Sequence, residues 1–142
     1  MIYRTLAFGL ATAALTLACT PAAPGSPSDP GAAKMVFTGD QKADWAQIVA
    51  LEDQAKALVK AEGCPSSGSC RTAPVGSRAC GGPRYYLVYC SATTDSAALA
   101  AKLDAVAAAE REFNAHYNIA STCEFRMPPT VTSSGGACRA QQ

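Results

Sequence analysis

Residues 84–90 read Arg-Tyr-Tyr-Leu-Val-Tyr-Cys. After the arginine, six consecutive residues are aromatic, branched or cysteine, the composition of a β-strand. Tyr85, Leu87 and Tyr89 share one face, and Tyr86, Val88 and Cys90 share the other. Without a partner strand the sequence leaves open which face is buried.

Working outward, each flank of this strand carries a run with helical period. Upstream, residues 44–62 hold no proline or glycine, and Trp45, Ile48, Val49, Ala55, Leu58 and Val59 fall near one face. Gly63 and Pro65 supply the stop. Downstream, Thr94 or Asp95 can cap a helix running to about Tyr117. Its stripe is Leu99, Leu103, Val106, Glu110, Phe113 and Tyr117, backed by many alanines that favour helix and close packing. A shorter strand is expected at 122–127, where Cys123, Phe125 and Met127 alternate with Thr122, Glu124 and Arg126 before Pro128-Pro129. Residues 64–83, rich in glycine, serine and proline, read as an ordered loop. The expected architecture is α+β: two amphipathic helices packed on a short antiparallel sheet in one small domain over residues 37–142.

Residues 1–18 have the three parts of an export signal: Arg4, an uncharged apolar run from Leu6 to Leu17, and the small Ala18. The run is too short to cross a membrane. Leu15-Thr-Leu-Ala-Cys19 resembles the lipobox of bacterial lipoproteins, in which Cys19 would carry diacylglycerol and become the first mature residue. Thr16 departs from the usual aliphatic residue there, and Thr16 with Ala18 also satisfies the small-x-small pattern for ordinary cleavage after Ala18. By the same resemblance, Thr20 implies the outer membrane rather than the inner one. Residues 19–36 read as a disordered tether, since TPAAPGSPSDPGAA over 20–33 contains four prolines, two glycines and no large apolar side chain. The expected location is the cell envelope, lipid-anchored to the outer membrane, with the domain facing the periplasm or the cell surface.

The chain has seven cysteines. Setting Cys19 aside leaves Cys64, Cys70, Cys80, Cys90, Cys123 and Cys138, an even set that an oxidising compartment would close into disulfides. Their pairing is not readable from spacing. No metal site is expected, because no CxxC pair occurs and His116 is the only histidine. No cofactor is expected either. His116 near a helix C-terminus suits the helix dipole, and no G-x-S-x-G turn exposes a serine, so no catalytic residue stands out. Glu110 interrupts an apolar stripe, and pairing with an arginine is its commonest fate.

The formal charge is +1, and Arg4 leaves with the leader, so nothing global points to nucleic acid. Locally, no acidic residue lies between Glu62 and Asp95, while Arg71, Arg78 and Arg84 stand there beside Tyr85, Tyr86 and Tyr89. Arginine with tyrosine is the composition of binding surfaces. Arg78, Arg84, Tyr85 and Tyr86 are therefore the candidate partner-binding residues, for an envelope protein or a cell-wall polyanion. The competing expectation is that the arginines fold back on the second helix, where Asp95, Asp104, Glu110 and Glu112 outnumber Lys102 and Arg111.

The run from Cys70 to Tyr89, with its Cys80-Gly-Gly-Pro83 core and following YLVY, together with Asn118, Ser121 and Cys123, resembles a group of small cysteine-bearing lipoproteins of Gram-negative and related bacteria. The likeness covers roughly residues 64–138 and rests on a CGGPxxYLxY motif. It implies location and fold, and carries no activity. In that group a serine usually stands in place of Cys90, and a further cysteine often follows the Cys123 strand where this chain has residues 130–134. That departure implies a re-paired bridge, Cys90 with Cys138. The resulting expectation is a non-enzymatic envelope binding module. The alternative is an inhibitor of secreted proteases or other hydrolases, with the loop Arg71–Ala79 presenting Arg78 as bait.

Overall fold

A computed structural model describes residues 34–141. In chain order these are α1 (Gln41–Lys56), a single 3-10 turn (Ser67–Ser69), β1 (Cys70–Val75), β2 (Tyr85–Cys90), α2 (Ser96–His116), β3 (Val131–Ser134) and β4 (Ala137–Ala140). The fold is a small α+β domain with three disulfides. The expected signal peptide, Cys19 and most of the expected tether lie outside the described residues.

Asp40 starts α1, its carboxylate accepting the amide N–H groups of Lys42 and Ala43. The helix ends at Lys56 rather than at Glu62. Beyond it, Lys60 exchanges hydrogen bonds with the buried hydroxyl of Thr94 at 3.0 and 3.1 Å and accepts the amide of Cys90 at 2.8 Å. Ala61 accepts the amide of Cys138 at 2.9 Å. Tertiary partners thus draw residues 60–62 into extended backbone against the strands. In α2, Asp95 caps the first turn, and Asn118, at φ 49°, ends the helix in the left-handed conformation.

Strand 84–90 is confirmed as β2, but its partner is β1, from the region expected to be loop. The two form an antiparallel hairpin in register from Cys70 opposite Cys90 to Val75 opposite Tyr85. Residues 122–127 form no strand. All six are exposed, Phe125 at 84% and Met127 at 69%, so their apolar alternation faces no core. A second hairpin, β3 with β4, occupies the C-terminus and turns on Gly135-Gly136, both at positive φ. There are two small sheets rather than one.

Tyr85, Leu87 and Tyr89 face the helices, where they pack with Ala55, Val75, Leu99 and Leu103. A second apolar cluster joins the helices through Ile48, Val106, Ala109 and Phe113. Met35 is buried within it, so the folded domain begins earlier than residue 37. The opposite face of β2 meets the C-terminal hairpin through a cluster of Cys64, Cys70, Cys90 and Cys138, flanked by Val88 and Val131.

The bridges are Cys64–Cys90, Cys70–Cys138 and Cys80–Cys123. This corrects the implied Cys90–Cys138 pair. Cys90 lies opposite Cys70 in the hairpin register, and the segment after α1 brings Cys64 to it, with the Cys64 amide donating to Gly136 at 2.8 Å.

Candidate functional site

The four candidate residues divide into an interior pair and a surface pair. Arg84 turns inward. Its Nη2 pairs with Glu52 of α1, and its Nε pairs with Glu110 of α2 at 2.9 Å. The guanidinium lies 5.5 Å from the Trp45 ring centroid and 5.6 Å from that of Tyr85. Tyr85 donates its hydroxyl to Glu52, and Lys56 pairs with the same carboxylate at 2.6 Å. Glu110 also accepts the Ser77 amide at 2.9 Å. One arginine therefore ties both helices to the β1–β2 hairpin. The Arg84 guanidinium and the Tyr85 hydroxyl are thus engaged by the helices, and Glu110 has the arginine partner its sequence position implies.

Burial opposes the charge on Glu52, but hydrogen bonds from Lys56, Tyr85 and Arg84 more than offset it and hold the carboxyl down at about 2. Gly76, at φ +75°, completes the knot. A Cβ there would stand 2.1 Å from Glu110 Oε2 and 2.7 Å from Arg84 Nε.

Arg78 and Tyr86 reach the other way. Arg78 Nη2 donates to the backbone carbonyl of Glu124, and Tyr86 donates its hydroxyl to the carbonyl of Arg126 at 3.2 Å. The Cys80 amide donates to Ser121 Oγ at 3.0 Å, and the Cys80–Cys123 bridge closes the same junction. Residues 121–126 are thus fastened to the hairpin loop at four points without being a strand. The guanidinium of Arg78 is directed at this segment rather than displayed as bait. Gly81 donates its amide to the Arg78 carbonyl at 2.9 Å, so this Gly-Gly turn closes on itself.

What the fastened segment displays is apolar. Phe125 and Met127 stand out with Arg126 between them, and Arg126 pairs with Glu124 at 3.3 Å. Beneath Phe125 a groove of about 330 Å³ runs between Arg78, Pro83, Tyr86 and Cys123. A neighbouring hollow of about 390 Å³ lies among Tyr85, Tyr86, Phe125, Met127 and Pro129. Sequence reasoning placed Phe125 and Met127 in a sheet and missed them as surface; the double proline that follows was the signal for an irregular segment.

A third buried carboxylate carries no signal in the sequence. Asp44 is fully buried and accepts the Thr38 amide at 3.0 Å, the Thr38 hydroxyl at 2.8 Å and the Tyr117 hydroxyl at 2.5 Å. Burial works against its charge, yet the bonds from Tyr117 and Thr38 prevail and hold its pKa below the ordinary aspartate value. The same bond, with burial, pushes Tyr117 up to about 12. His116 stacks on Phe37 with ring centroids 3.9 Å apart, a packing role. No described helix is long and apolar enough to cross a membrane.

Compared with known proteins, the chain matches no family model, no curated protein and no solved structure.

Proposed function

We propose that the chain is a lipid-anchored, non-enzymatic module of the bacterial cell envelope that grips a protein partner through the ridge of Tyr86, Phe125, Arg126 and Met127. The observation that carries this reading is the exposure of Phe125 and Met127 on a segment that a disulfide and three hydrogen bonds prevent from folding inward. Large apolar side chains held rigidly in water bind with little further loss of conformational freedom. A protein fits better than a cell-wall polyanion, because Arg84 is neutralised by Glu52 and Glu110 and Arg126 by Glu124. The bond that ties the Arg78 guanidinium to the Glu124 carbonyl takes support from the protease-inhibitor reading. An anchor at Cys19 rests on the export signal and lipobox, and among the described residues no constellation of free carboxylate, nucleophile and base supports catalysis.

The test is chemical cross-linking and capture from an envelope fraction, comparing the mature chain with Phe125→Ser/Met127→Ser. Loss of the captured protein in the variant is expected, and undiminished capture overturns the ridge. Intact mass of the membrane-extracted protein tests the anchor independently. An acylated Cys19 is expected, and an unmodified N-terminal cysteine defeats it.

A further inference from the structure

The sulfur cluster on the far side of β2 carries an inference that does not depend on the ridge. Cys64, Cys70, Cys90 and Cys138 arrive from four places in the chain: the segment after α1, the start of β1, the end of β2, and β4. Each is at most 5% exposed. Although they belong to different bridges, Cys64 Sγ and Cys70 Sγ lie 3.8 Å apart, and the sulfurs of Cys64, Cys70 and Cys138 all lie within 4.8 Å of one another.

Tetrahedral zinc with metal–sulfur bonds of about 2.3 Å places its sulfurs about 3.8 Å from each other. The gap between the two bridges therefore already has the length of one edge of a tetrathiolate site. Backbone pairing holds the cysteine positions independently of the sulfur bonds. Cys70 and Cys90 face each other in the hairpin, the Cys64 amide donates to Gly136, and the Cys138 amide donates to Ala61.

We propose that the reduced form of this cluster is a four-sulfur site for a thiophilic d10 cation, represented by Zn2+, because four buried cysteines converge and one inter-bridge sulfur pair, Cys64 with Cys70, already stands at the tetrahedral edge. Bridge and metal are then alternative crosslinks of the same four positions. Two equivalents of a dithiol reductant open the two bridges, each forming its own cyclic disulfide while two protein thiols form. Zn2+ then makes four metal–sulfur bonds as the four thiol protons pass to solvent. An all-sulfur ligand set selects soft cations over Mg2+ or Ca2+. The absence of a CxxC pair does not count against the site, because the fold rather than local spacing gathers the ligands.

The test uses the mature chain carrying C19S/C80S/C123S, so that only the four clustered cysteines remain. The protein is reduced with a phosphine, freed of excess reagent under anaerobic conditions and titrated with Co2+. Saturation at one Co2+ per chain is expected, with sulfur-to-cobalt charge-transfer absorption and the intense visible bands of tetrahedral cobalt, both abolished by added Zn2+. Cys138→Ser in the same background should alter the visible bands, and the oxidised protein should show none. If reduction loosens the fold, Zn2+ should restore the helical circular dichroism. Absence of the tetrahedral bands, bands unchanged by Cys138→Ser, or metal binding that leaves the helical signal unrestored would each overturn the proposal.

Discussion

Tyr85 and Tyr86 are adjacent on β2, yet Tyr85 donates its hydroxyl to the buried carboxylate of Glu52, and Tyr86 donates to the exposed backbone carbonyl of Arg126. The arginines repeat the contrast. Arg84 is held by two carboxylates, one from each helix, whereas Arg78 is held by the carbonyl of Glu124. The nature of the acceptor separates the roles. Carboxylates neutralise the arginine and make an interior joint. Backbone carbonyls fasten a segment by its main chain and leave its side chains free, which is why Phe125 and Met127 remain exposed.

The sharpest way to break this comparison is to truncate each arginine. Arg84→Met leaves Glu52 and Glu110 buried without their shared cation, and a loss of about 3–5 kcal/mol is expected in urea denaturation. Arg78→Met removes one bond to a carbonyl in a half-buried setting, and about 1 kcal/mol is expected. Equal losses in the two variants would mean that the interior joint and the surface clasp are not distinct.

The unequal legibility of the two regions has a physical origin. Strand 84–90 was readable from its unbroken run of aromatic and branched residues, and α2 from an apolar stripe at helical period. The inward fate of Arg84 was half visible, since Glu110 interrupts the α2 stripe in an otherwise negative helix. Strand β1 was hidden by Pro74 and by glycines and serines on both sides, which are normally turn residues. Strands β3 and β4 are built largely from small and polar residues, and their one signal was Gly135-Gly136 between two short runs. Residues 122–127 misled in the opposite direction, because period-two alternation arises equally in an extended segment pinned at a few points. Pairing of the cysteines depends on which segments meet, which no spacing encodes.

Removing the clasp's covalent part should cost less than removing Arg84. Cys80→Ser/Cys123→Ser opens a bridge with a sequence separation of 43, and about 2–4 kcal/mol is expected from the freed unfolded chain. The helical circular dichroism should persist while limited proteolysis newly cuts within 121–128. Loss of the helical signal instead would place this bridge in the core and merge the two regions.

Acid should find the interior joint first. The carboxyls of Glu52 and Asp44 are held below their ordinary values, so the stability they contribute is fully present above about pH 4.5 and is lost as pH falls toward 2. The expected loss is smaller than for Arg84→Met, since protonation removes a charge and leaves the packing in place. At the alkaline end Tyr117, raised to about 12, contributes below pH 10 and loses that contribution as pH rises from 10 to 12. A urea midpoint that stays flat between pH 5 and pH 2.5 would contradict this.

The smallest effect on stability should accompany the largest effect on binding. Phe125→Ser/Met127→Ser removes side chains that are 84% and 69% exposed, so little apolar contact is lost and less than about 0.5 kcal/mol of stability should disappear. Their fastening does not change, because the bonds from Arg78 and Tyr86 end on the carbonyls of Glu124 and Arg126 rather than on these side chains. On the partner, each would fill a desolvated contact, and losing an aromatic anchor of that kind typically costs about 2 kcal/mol or more, a fall in affinity of at least about thirtyfold. A variant whose stability falls by as much as its binding would show that the ridge belongs to the core, and Tyr85 and Tyr86 would then serve one function rather than two.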